Sequence, residues 1–164
     1  MFFMKKLTSF EGKFIEKYFN QIFQLLPDGL RPEKRSNFKA FDGMNNLFNL
    51  AYKVLSWKAH RVIIKVKLKL CLGFLHSVQF GKPSLVCDLM ELYRYLVDDF
   101  LVGFCGKLGK MDFVMKDERT TRKRRGKREY LNGSKIGELV RGLEEMFGKR
   151  VEVHRIRHGS GQAL

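Results

Sequence analysis

Pro83-Ser-Leu-Val-Cys-Asp88-Leu-Met-Glu91-Leu-Tyr-Arg94-Tyr-Leu-Val-Asp-Asp-Phe-Leu-Val-Gly-Phe104 is the stretch on which the fold class turns. Leu85, Leu89, Leu92 and Leu96 recur at steps of three and four residues, the spacing of one buried stripe on an α-helix. Pro83 suits the first turn, where its missing N–H would be unpaired anyway. The pattern predicts a helix from Pro83 to Phe104. On it, Asp88 and Glu91 share a face, which Tyr95 continues away from the leucines.

Helical spacing also holds on the N-terminal side. A turn through Gly73, His76 and Gly81 is preceded by a predicted helix from Met44 to about Lys65, with Leu47, Phe48, Ala51, Val54, Leu55, Val62 and Ile63 in period. The β-branched run Val62 to Ile64 weakens its last turn. Pro27 to Phe38 carries turn residues and charges and reads as a loop. Before it, Phe10 to Leu26 forms a helix with Phe14, Ile15, Tyr18, Phe19, Ile22, Phe23 and Leu26 on its apolar face.

On the C-terminal side the composition changes. Residues 106–131 read as a basic loop or arm, because Arg119 to Arg128 holds seven basic residues in ten and nothing apolar to bury. A last helix, Asn132 to Phe147, is weakened by Gly137 and Gly142, each costing up to about 1 kcal/mol relative to Ala. The tail has strand-like character only at Val151 to Val153. The chain is therefore read as mainly α, one helical domain over residues 1–164.

Thirty-two basic residues against 17 acidic ones leave a net charge of +15, a field that attracts polyanions, with nucleic acid foremost. A membrane partner is disfavoured. The apolar run Val62 to Leu75 is broken by Lys65, Lys67 and Lys69, and Met1 to Phe14 lacks a continuous apolar core. Cys71, Cys87 and Cys105 sit among apolar neighbours without metal or redox spacing, so they read as buried free thiols of a reducing cytoplasm. The 15 Phe residues fall mostly on helical stripes, where core packing explains them better than base stacking; Tyr52 and Trp57 read as core or groove-lining, and His60, His154 and His158 as surface or phosphate-facing.

His76, Asp88 and Glu91 are the residues best suited to a reactive centre. An imidazole with two carboxylates suits Mn²⁺ or Mg²⁺ completed by water, and such an ion can polarise a phosphodiester. Spacing alone equally allows a solvated helix face and a hydrogen-bonded loop histidine. For the Arg119 to Arg128 run, sequence-independent phosphate binding is favoured over a solvated charge run, since so dense a cluster repels itself without a polyanion.

The segments Gly73-Phe-Leu-His76-Ser, Gly81-Lys-Pro-Ser-Leu85 and Asp88-Leu-Met-Glu91-Leu-Tyr-Arg94 resemble the signature of the CRISPR-associated endonuclease and integrase, the Cas-one family. Asp42, Asn45, Asn49 and Tyr52 fall at the offsets of that family's first active-site helix; Glu11-Gly12 with Tyr18-Phe19, and Gly126 to Asn132, resemble further segments of it. The resemblance implies a helical catalytic domain acting as a homodimer with the small CRISPR-associated protein two, in the prokaryotic cytoplasm. It implies double-stranded and branched DNA as substrate, with 3′ hydroxyls joined to a repeat by transesterification during spacer acquisition in antiviral defence.

By the same resemblance, His76, Asp88 and Glu91 are ligands of Mn²⁺ or Mg²⁺, and Lys58 stands where the family places a further Glu ligand. Lys58, Arg94, Arg122, Lys123, Arg124, Arg125, Lys127 and Arg128 are the expected DNA contacts. The family's N-terminal β-rich dimerisation domain and its final helices are expected to be absent. Lys58 and these missing parts leave two functions open, a metal-dependent DNA integrase or a non-catalytic basic helical DNA-binding remnant.

Overall fold

Four helices and one hairpin make up the computed structural model, which describes the backbone of residues 2–37, 40–75, 81, 83–119 and 125–148, with side chains at all of these except 2–12, 119 and 125. The order is α1 (Phe2–Gln24), α2 (Gly43–Lys65), α3 (Ser84–Cys105), β1 (Phe113–Arg119), β2 (Arg125–Leu131) and α4 (Gly133–Gly148), with short 3-10 turns at Asp28–Leu30 and Lys110–Asp112. The mainly α expectation holds.

α1 starts at Phe2, earlier than the apolar spacing indicates, and it stops just before Pro27, which has no N–H to continue the ladder. Phe19, Phe23 and Leu26 enter the core, whereas Phe14 is 72% exposed and Ile15 is also open to solvent. Only the second half of the predicted stripe is therefore buried. α2 is capped by Asp42, whose carboxylate accepts the Asn45 N–H at 2.7 Å. It runs unbroken through Val62 to Ile64, because Ile63 is buried against Val86 while Val62 and Ile64 face outward. Packing outweighs a propensity deficit of a few tenths of a kcal/mol per residue.

The leucine stripe of α3 is not its main core face. Leu92 is 51% exposed, and Leu85 and Leu89 pack in a small cluster with Ala59, Ile63 and Val86. The face turned to the main core carries Val97, Leu101 and Cys105, and two aspartates, Asp88 and Asp98, are buried with the helix. Of the three free thiols, Cys105 is buried, which pushes its pKa up to about 12, but Cys87 is half-buried and Cys71 exposed. Trp57 is likewise exposed, unlike the buried Tyr52.

Within the expected basic loop or arm, Phe113–Arg119 and Arg125–Leu131 pair as antiparallel strands, with Phe113 opposite Leu131 and Arg119 opposite Arg125. Phe113 and Leu131 anchor its base in the core, and the backbone ladder is satisfied without an apolar run. The Gly43 N–H donates to Glu129 at 2.8 Å, and a Cβ on Gly43 would fall 2.3 Å from the Phe113 ring, so α2 meets the hairpin at glycine contact. Asn132 caps α4 by accepting the Lys135 N–H at 2.9 Å. Gly142 has a packing reason that propensity does not show: a Cβ there would lie 2.6 Å from the Phe100 ring. No helix among the described residues is long and apolar enough to cross a membrane.

Candidate active site between the first and third helices

Asp88 sits in the second turn of α3, fully buried, and ties down the preceding turn. Its Oδ2 accepts the backbone N–H groups of Phe74 at 2.5 Å and Leu75 at 3.0 Å. Gly73 is needed for this approach, since a Cβ would stand 2.7 Å from both Asp88 Oδ2 and the Ser84 Cβ. A carboxylate with two amide donors is oriented and compensated for burial. His76, the next residue after Leu75, lies outside the described residues. The same holds for Arg122, Lys123 and Arg124, for His154 and His158 in the tail, and for the side chain of Arg125.

Glu91, one turn beyond Asp88, is exposed and pairs with Arg94 at 3.2 Å. These two residues and Tyr95 form one wall of a cleft of about 350 Å³, whose other wall is Phe14, Ile15 and Tyr18 of α1. The exposed half of α1 thus faces the exposed face of α3 across open space. Among the described residues no three His, Cys, Asp or Glu side chains cluster at metal-binding distance, and His76 is outside that set. The donors that are described, two carboxylates a turn apart with one anchored by backbone N–H groups, suit a hard divalent ion with retained waters.

Lys58 is half-buried on α2 and does not line this cleft. No ion pair among the described residues joins it to Asp88 or Glu91, and Glu91 pairs with Arg94. Lys127 is exposed on β2. Arg128, read with its neighbours as a phosphate contact, is turned inward: its guanidinium lies 3.1 Å from Glu118 and 5.5 Å from the Phe41 ring centroid. Alternation along a strand separates these two adjacent cations, which a loop reading cannot do.

A second polar assembly escaped the sequence reading. Asp98, buried on α3, accepts the Tyr18 hydroxyl at 2.7 Å on one oxygen and the Tyr52 hydroxyl on the other, joining α1, α2 and α3. Burial raises the Asp98 pKa; the two hydroxyls and the nearby Arg94 and Arg35 pull it the other way. Burial, then the Asp98 carboxylate, raises the Tyr52 hydroxyl as well. The Tyr52 ring carries two guanidinium groups, Arg94 at 5.0 Å and Arg35 at 5.6 Å from its centroid. Arg35 is fixed by donating to Asn45 at 2.9 Å and Asn49 at 2.7 Å. The motif Asp42, Asn45, Asn49, Tyr52 is thus a cap, two acceptors for Arg35 and a partner of Asp98. Neither Arg35 nor Asp98 carried a signal in spacing alone, since their partners come from other elements.

The fold is shared with parts of larger solved structures. A casposase bound to integration product superposes with a TM-score of 0.72 at 23% identity, covering 92% of this chain and 42% of that one. A partial Cas6-RT-Cas1–Cas2 complex gives 0.75 at 23% identity over 87% of this chain and 42% of that one. Family membership comes from sequence: the model of CRISPR associated protein Cas1 matches residues 3–135, and the chain belongs to the Cas1 family. A CRISPR-associated endonuclease Cas1 of Thermodesulfovibrio yellowstonii is 36% identical over 114 residues, 68% of this chain and 36% of that protein. One from Thermus thermophilus is 34% identical over 96 residues, 58% of this chain and 29% of that protein. The chain thus spans about a third of the length of these relatives.

Proposed function

We propose that this chain is the helical part of a Cas1-type endonuclease and integrase, which joins DNA ends to a repeat by metal-dependent transesterification in CRISPR spacer acquisition. The observation that carries the reading is the Asp88 anchor: a buried carboxylate holds the backbone immediately before His76 against the helix turn that bears Glu91. His76, Asp88 and Glu91 are the proposed ligands of Mn²⁺ or Mg²⁺. Once bound, the ion would polarise a phosphodiester and lower the pKa of an attacking hydroxyl.

Glu11 stands three, four and seven residues before Phe14, Ile15 and Tyr18 in the sequence, a helical spacing that supports it as a further carboxylate of the site. We therefore assign the additional ligand to Glu11 rather than to the position of Lys58, and read Lys58 as a phosphate contact. Lys127, Arg94 and the Arg122 to Arg125 run are the other proposed DNA contacts, on double-stranded and branched DNA. The likeness to assemblies that contain Cas1 and Cas2 supports the small companion protein as partner, and a homodimer and a cytoplasmic site are read with it.

Calorimetric titration of Mn²⁺ tests the assignment. Glu91→Gln and Glu11→Gln should each weaken binding by at least about tenfold, as loss of one carboxylate from a dication site does, and Lys58→Glu should leave it unchanged. Tighter binding by Lys58→Glu with no effect at Glu11 would move the further ligand position to α2. No Mn²⁺ binding by the parent chain would favour the non-catalytic DNA-binding reading.

A further inference from the structure

Arg94 lies on the α3 side of the cleft, next to Glu91. Its guanidinium lies over the Tyr52 ring, 5.0 Å from the centroid, and Tyr52 is itself held by Asp98, which is buried and also takes Tyr18. Arg35, the other guanidinium on the same ring, spends its terminal nitrogens on Asn45, Asn49 and the Ser36 carbonyl. Arg94 by contrast has one ion-pair partner among the described residues, Glu91 at 3.2 Å. Both side chains are partly open to solvent, 29% for Arg94 and 44% for Glu91, and both line the cleft against α1. A planar guanidinium already placed over a ring and paired with a carboxylate is preorganised for an oxyanion, and a phosphate presents the same oxygen pair as a carboxylate.

We propose that Arg94 is a phosphate contact held in reserve: the Glu91 carboxylate occupies its guanidinium until that carboxylate is engaged elsewhere, and a DNA phosphate in the cleft then takes its place. The inference rests on the preceding reading, in which Glu91 is a metal ligand and DNA the substrate. Its consequence is that occupation of Glu91 and strand binding are coupled. The platform of Tyr52, Asp98 and Tyr18 stays fixed while only the anion on Arg94 changes. Tyr18, Tyr52, Asp98 and Arg94 are positioning residues in this scheme, with Arg94 alone touching the strand.

The test needs neither metal nor turnover. Binding of a fluorescein-labelled single-stranded oligonucleotide is measured in EDTA for the parent, Glu91→Gln, Arg94→Gln and the double variant. Both positions are partly exposed, so the substitutions leave the core intact, and circular dichroism verifies this. Glu91→Gln should tighten binding at least about fivefold, with the slope of log affinity against log salt steepening by about 0.7 as one more phosphate is contacted. In the Arg94→Gln background the same change should give less than about twofold and no change in slope, since only a general loss of negative charge remains. Equal gains in both backgrounds, with the oligonucleotide still bound, would overturn the masking and leave the DNA-binding reading standing. No binding by the parent at low salt would overturn that reading and the masking with it.

Discussion

The Asp88 carboxylate accepts the Leu75 backbone N–H at 3.0 Å, which fastens the turn ahead of His76 to the start of α3. The pair links local sequence to the site: Gly73 gives the backbone room to approach, and α3 supplies a fixed, buried oxygen.

Asp88→Ala leaves the Phe74 and Leu75 N–H groups without their acceptor. At about 1–3 kcal/mol for a buried polar group that loses its partner, the expected loss of stability is about 2–4 kcal/mol. Asp88→Asn, which keeps one acceptor oxygen but not the charge, should lose about half of that. Urea denaturation measures both, and an alanine variant as stable as the parent would show the turn to be held by other contacts.

Gly142→Ala should destabilise the chain, although alanine is the better helix former by about 1 kcal/mol. The new Cβ would stand 2.6 Å from the Phe100 ring, and forced repacking costs about 1–3 kcal/mol. A melting temperature above the parent's would mean that Phe100 moves aside freely.

The part of this fold legible in sequence is the part fixed by neighbours along the chain. The spans of α2 and α3 followed from period, Pro83 and turn residues. What escaped depends on partners far away in sequence. Asp88 and Asp98 of α3 are buried because amides of Phe74 and Leu75 and hydroxyls of two other helices compensate them, and hydropathy cannot register this. The leucine stripe misled for a related reason, since α3 has neighbours on more than one side and its valines serve the tighter contact. The hairpin was hidden by its charge, because cross-strand pairing of Asp117 with Lys127 and burial of Arg128 appear only once the register is known. Of the site, Asp88 and Glu91 were legible as two carboxylates one turn apart, whereas Arg94 on Tyr52 was not.

Asp98 should leave a mark on the pH dependence of stability. Its pKa is raised in the folded chain above the ordinary value of 3.8, chiefly by burial. The folded state therefore holds this proton more tightly, and the contribution is full below the unfolded pKa and is lost as pH rises through the folded one. Asp98→Asn, which cannot ionise, should gain stability relative to the parent as pH rises from about 4 towards 7. Parallel denaturation midpoints for the two proteins across that range would contradict the raised value.

Adjacent cations of the hairpin should behave differently. Neutralising Lys127 together with Arg122, Lys123, Arg124 and Arg125 should weaken DNA binding similarly for all sequences and flatten its salt dependence. Arg128→Ala should instead lower stability by about 1–3 kcal/mol, because it removes a buried side chain that pairs with Glu118 and lies over the Phe41 ring. Equal effects of Lys127 and Arg128 on the salt slope would mean that Arg128 leaves its buried place on binding.

Cutting of a branched DNA duplex, followed with Mn²⁺ or with EDTA for the parent, Asp88→Asn and Glu91→Gln, decides whether Asp88 and Glu91 serve metal-dependent cleavage. Cleavage by the parent is expected only when Mn²⁺ is present, with a fall of at least about 10²-fold in each variant, the scale expected when a charge-stabilising group of the site is lost. Cleavage that persists in EDTA or in both folded variants would contradict it, as would DNA that is bound by the parent in Mn²⁺ but never cut.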